Sequence, residues 1–521
     1  MDRFFNTAGP CLPQRHYMIP PEQRLGQVRE LIDRAAFFVI HAPRQTGKTT
    51  LIRSLSRKLT AEGKYAALTV SLESFTEPDV DKMLPRIVDK IQRDSLMQLP
   101  KGLEAPGKNG FVNNPHTALN GYLSAWAEGL DLPLVVLLDE ADAIPGEVLI
   151  SVLRQLRDGY TSRPAPFPQS VALVGMRDVR DYKIQIREDL ESLGTASPFN
   201  IKDRSLTLRN FTREEVFGLL AQHTQATGQV FTEEAQTEIF RQTQGQPWLV
   251  NALAGQTTTD IDAVVSDRDQ PVTKADVQKA REILIERRDT HLDSLVDKLR
   301  EGRVKRVIEP ILIGSSVQPD VYNDDFKYVE DLGLVNRHNG TTEIANPIYA
   351  EIIPRVLTYV TQGNVPDKPE WYVAADGTLN LRKLIDGFIE FWRENGEVLL
   401  KGMPYQEAAP HLVFMAYLQR IVNSGGRLER EFALGTKRAD LFVDYGGRKD
   451  VIELKLAGGY KTLENGLSQV AGYAKRLGRD VGYLVLFDVE GAAERKKEEW
   501  WERGEVEERA QDGVRVVILR V

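Results

Sequence analysis

Apolar residues gather in short runs at 37–42, 65–72, 133–139, 171–176 and 205–208, with stretches of helical periodicity between them. Runs of this length separated by helices predict an α/β unit with a mainly parallel sheet. The texture changes near Thr212, where FTREEVFGLLAQH sets a threonine before a Glu-rich turn and so predicts a helix start. From there to residue 290 the pattern is helical, punctuated by TQGQPW. Between 291 and 360, helices precede EDLGLVNRHNGTTEIANPIY. There Leu334-Val335, an Asn339-Gly340 turn and residues 342–344 predict a hairpin wing after helices.

TYVTQGNVPDKPE, 358–370, is rich in Pro, Gly and polar residues and reads as a linker to a separate domain. In that domain RADLFVDYGGRKDVIELK, 438–455, sets two alternating runs around Gly446-Gly447, a two-residue hairpin signal. The turn pairs Tyr445 with Arg448, Phe442 with Val451, Asp440 with Glu453 and Arg438 with Lys455. Opposed acids repel. The other face, Ala439, Leu441 and Val443 against Leu454, Ile452 and Asp450, is largely an ordinary core face. A helix over about 406–422 is expected before the hairpin, and GLSQVAGYAKRLG with VGYLVLFDV completes a βαβ unit after it. ERKKEEWWERGEVEER reads as a solvated amphipathic helix.

At 521 residues the chain is too long for one core. The pattern divides it into 1–211, 212–290, 291–360 and 371–521. A net charge of −8 excludes a generally basic nucleic-acid coat, so any such surface must be local. One cysteine, Cys11, forms no internal disulfide, and no Cys/His cluster has zinc spacing. A reducing cytoplasm is the expected compartment. With no apolar run near a membrane span, no membrane segment is expected.

Two motifs carry chemistry. APRQTGKT, 42–49, follows an apolar strand and opens a helix, the context a phosphate-binding loop requires. The cofactor set is Pro43, Arg44, Gln45, Thr46, Gly47, Lys48, Thr49 and Thr50: backbone N–H groups of the residues after Pro43 for the phosphates, Lys48 for the β/γ oxygens, the Thr49 hydroxyl for Mg²⁺. Ala42 stands where the usual motif has its first glycine. In LPLVVLLDEAD a strand ends in Asp139, a Mg²⁺ partner, and Glu140, which can polarise the attacking water. Arg177 and Asp178 in VALVGMRD are candidate nucleotide-state sensors.

HYMIPPEQRL, APRQTGKTT, VVLLDEAD, GMRD, SPFNIKDRSLTLRNFTREEV and TQGQPWLVN together resemble the AAA-like and STAND-type ATPases related to archaeal and origin-recognition ATPases, over about 14–360. The resemblance implies a P-loop NTPase sheet with a helical lid and a winged-helix-like domain. It implies ATP and Mg²⁺ as cofactors, the segment 17–24 near the adenine, and Pro247 of Gly245-Gln246-Pro247 closing over the nucleotide. Arg24 is read either as a nucleotide contact or as a helix-starting arginine. Arg154 and Arg157 are read either as reaching a neighbouring subunit's nucleotide or as a solvated face.

The hairpin's acid pair has a chemical answer. Asp440 and Glu453, with Cβ atoms about 4.5–5.5 Å apart in the expected register, can share one Mg²⁺ or Mn²⁺. Lys455 shares Glu453's face and can orient water or stabilise phosphate charge. Asp…Glu-x-Lys on such a hairpin resembles the PD-(D/E)XK nuclease superfamily, which implies a restriction-endonuclease-like α/β domain with Asp440, Glu453 and Lys455 in the metal and lysine positions. Gln469 and Tyr473 match its downstream Gln-x-x-x-Tyr, and Glu407 its extra acid.

The reading is an ATP-hydrolysing protein coupled to a metal-dependent nucleic-acid phosphodiesterase, with DNA favoured over RNA as the partner but the sequence deciding neither. The resemblance implies a role in defence against phage or mobile DNA. The alternative is an ATP-dependent oligomerising switch whose nuclease-like domain only holds a partner or DNA. A third reading makes Arg303, Lys305 and Arg306 phosphate contacts of a winged DNA reader, against a plain solvated helix face.

Overall fold

In the computed structural model of the chain, the described residues are 3–176, 201–287, 297–312, 323–338, 340–357, 372–374, 378–402, 408–423, 427–434, 437–456, 460–487 and 506–521. They divide into two compact units, 1–287 with 330–333, and 288–329 with 334–521.

In the first unit the apolar runs form β1 (Phe37–His41), β2 (Ala66–Ser71), β3 (Leu134–Asp139), β4 (Ser170–Gly175) and β5 (Lys202–Thr207). All are parallel, in the order β2-β3-β4-β1-β5. Every residue of β3 and β4 is buried, as continuous apolar strands covered on both faces must be. One face packs Val136 and Leu138 against α3 (Val80–Gln98), α4 (Pro115–Glu128) and α5 (Gly146–Thr161). The other packs Val135 and Leu137 against α1 (Gln27–Asp33) and α2 (Lys48–Ala61). Burying such a side chain contributes about 1.5–3 kcal/mol. β5 begins earlier than the apolar pattern predicts, because an edge strand leaves Asp203 and Arg204 exposed while still pairing its backbone with β1.

The lid follows as α6 (Arg213–Thr227), α7 (Glu233–Thr243), α8 (Pro247–Thr258) and α9 (Lys274–Arg287). Thr212 caps α6 through a full capping box: its hydroxyl accepts from Glu215 N, and the Glu215 carboxylate accepts from Thr212 N. No helix among the described residues is long and apolar enough to cross a membrane.

The second unit holds α10 (Gly302–Leu312), the hairpin β6 (Val335–His338) and β7 (Thr341–Ile344), and α12 (Pro347–Leu357); α11 (Asp324–Asp331) spans the division. Beyond them α13 (Leu381–Gly402) and α14 (Ala409–Asn423) lead into β8 (Arg427–Leu434), β9 (Lys437–Tyr445) and β10 (Arg448–Leu456). Then come α15 (Tyr460–Arg476), β11 (Val481–Phe487), β12 (Val506–Gln511) and β13 (Val514–Arg520). The six strands run β12-β13-β11-β10-β9-β8. Leu484, Leu486 and Val451 meet Leu463, Leu467 and Val470 of α15. Phe487, on the opposite face of β11, meets Trp392 of α13 and Phe414 of α14.

One expectation is corrected here. Residues 506–509 of the stretch read as a charged helix pair with β13 as a strand. An Asp512-Gly513 turn with both residues at positive φ closes that hairpin, and its half-exposed outer strand keeps a polar sequence. The rest of the stretch lies outside the described residues.

Candidate functional site

The phosphate loop is shaped by its own backbone. Left-handed conformation falls at Gln45 (φ 56) and Gly47 (φ 91), not at Ala42. Ala42 is buried and its N–H donates to Gly175 O at 3.2 Å, so a methyl fits where the common motif has glycine. Thr46 donates its hydroxyl to Pro43 O at 2.8 Å, cinching the turn. α2 then starts at Lys48 and aims its N-terminus at the loop.

Lys48 is buried, and its Nζ donates to Ala42 O and Pro43 O, both at 2.9 Å. Burial lowers its pKa, while Glu140, Asp142 and Asp139 pull the other way. Thr49 Oγ1 donates to Asp139 Oδ2 at 2.7 Å, joining the loop to the end of β3. Asp139 is 2% exposed, and burial raises its carboxyl pKa against the Thr49 hydrogen bond. Glu140 is raised by burial too, with Lys48 opposing and Asp139, Asp142 and Glu73 adding. Its backbone is left-handed, φ 53, a strained state that turns the chain sharply after β3. Two hard oxygen donors from Thr49 and Asp139 beside a buried lysine suit Mg²⁺ on a nucleotide's phosphates.

A cavity of about 490 Å³ opens over this loop. Pro247 lines it at the first turn of α8, where the Gln246 side chain accepts from Leu249 N. Gly245 (φ 70) is needed there, since a Cβ would stand 2.0 Å from Phe211 O. Sequence reasoning missed the N-terminal segment that forms another wall. Cys11 N donates to Thr50 Oγ1 at 3.1 Å, and Trp248 Nε1 donates to Thr7 O at 2.9 Å. Nothing in the periodicity of 3–16 marks it. Arg177 and Asp178 lie outside the described residues. Arg154 is exposed on α5 and Arg157 half-buried.

In the C-terminal hairpin the described register runs from Arg448↔Tyr445 through Lys449↔Asp444, Asp450↔Val443 and Val451↔Phe442 to Ile452↔Leu441, as the Gly-Gly turn predicts. Asp440 and Glu453 are the next positions along β9 and β10; the Asp440 side chain lies outside the described residues, as does Glu407. Glu453 is 2% exposed, and Lys455 Nζ stands 2.7 Å from its Oε1. Tyr473 of α15 is buried in the cluster that includes Val451, and Gln469 is half-buried one turn before it. Both hairpin faces are covered: Asp450, on the face read as ordinary core, is buried and ion-paired with Arg448 at 3.2 Å and Arg479 at 3.5 Å. Among the described residues there is no group of three or more His, Cys, Asp or Glu able to hold a metal.

Two of the three basic residues of α10, Arg303 and Arg306, are engaged within their own unit. Arg303 and Arg306 pair with Asp325 at 3.6 and 2.6 Å, and Arg303 lies 3.8 Å from the Tyr328 ring centroid.

Residues 31–182 match the family model described as an AAA domain. No match is found among curated proteins. Among solved structures, the Walker-type ATPase of Pyrococcus abyssi is 13% identical at TM-score 0.46, covering 67% of this chain and 99% of its own. Cdc6p from Pyrobaculum aerophilum is 17% identical at TM-score 0.34, covering 69% and 96%. The Thermotoga maritima RuvB Holliday junction branch migration motor is 14% identical at TM-score 0.33, covering 64% and 93%. With the loop, the lysine and the Thr49–Asp139 pair in place, residues 31–182 form an ATP-binding, AAA-type ATPase domain.

Proposed function

We propose that the chain couples this ATPase to a metal-dependent nucleic-acid phosphodiesterase in 371–521, with DNA the preferred substrate and ATP governing access. On this reading 1–211 is the ATPase core, 212–290 its lid and 291–360 a winged-helix-like connector. The observation that carries the nuclease half is Lys455 Nζ, 2.7 Å from the buried Glu453 carboxylate, on a hairpin whose turn brings Asp440 to the neighbouring strand. Lysine beside a buried acid is suited to orient water and to stabilise charge on a phosphodiester. Asp440 and Glu453 would hold Mg²⁺ or Mn²⁺, which supplies Lewis-acid stabilisation of phosphate charge when bound. In the ATPase half, Glu140 would polarise the water that attacks the γ-phosphate while Lys48 and the loop hold the phosphates. The two resemblances, to AAA-like and STAND-type ATPases and to the PD-(D/E)XK superfamily, extend the reading to defence against phage or mobile DNA and to assembly of several copies.

The test is Mn²⁺ binding to the full chain by electron paramagnetic resonance, without nucleotide. The expected result is a bound ion lost in Asp440→Asn and in Glu453→Gln and kept in Asp139→Asn. Uptake that ignores both hairpin acids would overturn the nuclease half.

A further inference from the structure

Arg24 closes a short 3-10 turn, Pro21–Arg24, and is only 6% exposed. Each of its three nitrogens donates to a backbone carbonyl. Nη1 donates to Thr46 O at 2.8 Å; Nε donates to Arg209 O at 2.9 Å, and Nη2 donates to that same oxygen. The guanidinium carbon lies 4.9 Å from the Phe211 ring centroid. A Cβ at position 47 would stand 3.3 Å from Nη1, so Gly47 and Arg24 are fitted to each other. Burial lowers the pKa to about 10, with Glu215 supporting the charge and Arg209 opposing it, which leaves a cation at neutral pH.

The carbonyl that Arg24 grips belongs to the same peptide as the Gly47 N–H. In a phosphate loop the backbone N–H groups together with the lysine cradle the β- and γ-phosphates. A cation on a peptide oxygen draws density from its nitrogen, so the N–H becomes a stronger donor, and linked hydrogen bonds reinforce one another in a dry site. Arg209 lies just past β5, where the chain leaves the sheet for the lid.

We propose that Arg24 is a positioning residue: it holds and polarises the Thr46–Gly47 peptide toward the terminal phosphates of ATP while fixing the sheet-to-lid junction at Arg209. The inference rests on the ATP-binding reading of this site and assigns the buried arginine a role distinct from touching the base.

The experiment is displacement of a fluorescent ATP analogue from the full chain by ATP, ADP and AMP, with Mg²⁺, for wild type, Arg24→Gln, Arg24→Lys and Lys48→Ala. Arg24→Gln should weaken ATP and ADP by about tenfold or more and leave AMP unchanged, as expected for one charge-assisted bond. A general loosening of the cavity would instead weaken all three alike. Arg24→Lys, which keeps a cation near Thr46 O, should hold the ATP-over-AMP preference within about threefold of wild type. Arg24→Gln binding ATP as wild type does, or losing ATP and AMP by one factor, overturns the inference, as does a folded Arg24→Lys without the preference. A wild-type chain that binds no ATP overturns the ATP reading itself.

Discussion

Thr49 donates its hydroxyl to Asp139, Oγ1 to Oδ2 at 2.7 Å, across 90 residues of sequence. The contact ties the start of α2 to the end of β3 and sets two oxygen atoms suited to Mg²⁺ side by side. Thr49→Ala and Asp139→Asn should each lower ATP turnover about a hundredfold or more, whereas Thr49→Ser, which keeps the hydroxyl, should stay within a few-fold. Steady-state phosphate release checks this; equal loss in Thr49→Ser and Thr49→Ala would assign the residue to packing.

Asp139 also works against the stability of the nucleotide-free fold. Burial raises its carboxyl above the ordinary 3.8, so the folded state holds the proton more tightly than the unfolded one. Its contribution is present at low pH and is lost as pH rises from about 3.8 through the raised folded value. Asp139→Asn should therefore melt above wild type at pH 7 without nucleotide, the gap closing as pH falls toward 4. Melting curves at several pH values decide it, and an unchanged gap would contradict the linkage.

Glu238 in the lid has the opposite sign. Burial disfavours its charge, yet hydrogen bonds from Arg241 and Gln242 outweigh that and hold its pKa down at about 2. Its stabilisation is full above the ordinary 4.5 and is lost as pH falls toward 2. Because Arg241 is half exposed, Glu238→Gln should cost about 1–2 kcal/mol at pH 7 and little near pH 2. Denaturant titration at both pH values measures the difference.

Position 47 favours glycine, while position 42 has no such demand. Gly47→Ala places a Cβ at φ 91 and 3.3 Å from Arg24, and should cost about 1–2 kcal/mol together with ATP binding. Ala42→Gly should keep ATP affinity within about twofold and lose stability by about 1 kcal/mol, through backbone entropy and the lost methyl. Thermal melts with and without ATP separate the two.

Much of this architecture is written in local pattern. The fully apolar strands, the Thr212 capping box and the Gly446-Gly447 register all follow from rules that act over a few residues, and there pattern and fold agree. What the pattern hides is set by distant contact. VEERAQ is polar because it forms a half-exposed outer strand, so periodicity suggests a helix where β13 imposes a hairpin. Arg24 reads in sequence either as a nucleotide contact or as a helix-starting arginine, and only packing against Thr46, Arg209 and Phe211 shows it buried on backbone carbonyls. The segment 3–16 enters the cavity wall through single hydrogen bonds to Thr50 and Trp248, which leave no periodic trace. α13 was not anticipated either, although its apolar face meets Phe414 and Phe487.

The proposed coupling of the ATPase to a nuclease is tested most directly by cleavage of supercoiled plasmid and single-stranded DNA by the full chain, with Mg²⁺ or Mn²⁺ and with or without ATP. The expected result is strand cleavage whose rate responds to ATP, abolished in Asp440→Ala and Lys455→Ala, and unresponsive to ATP in Lys48→Ala. Hydrolysis of ATP with no cut in any nucleic acid, identical for wild type and Lys455→Ala, would contradict it.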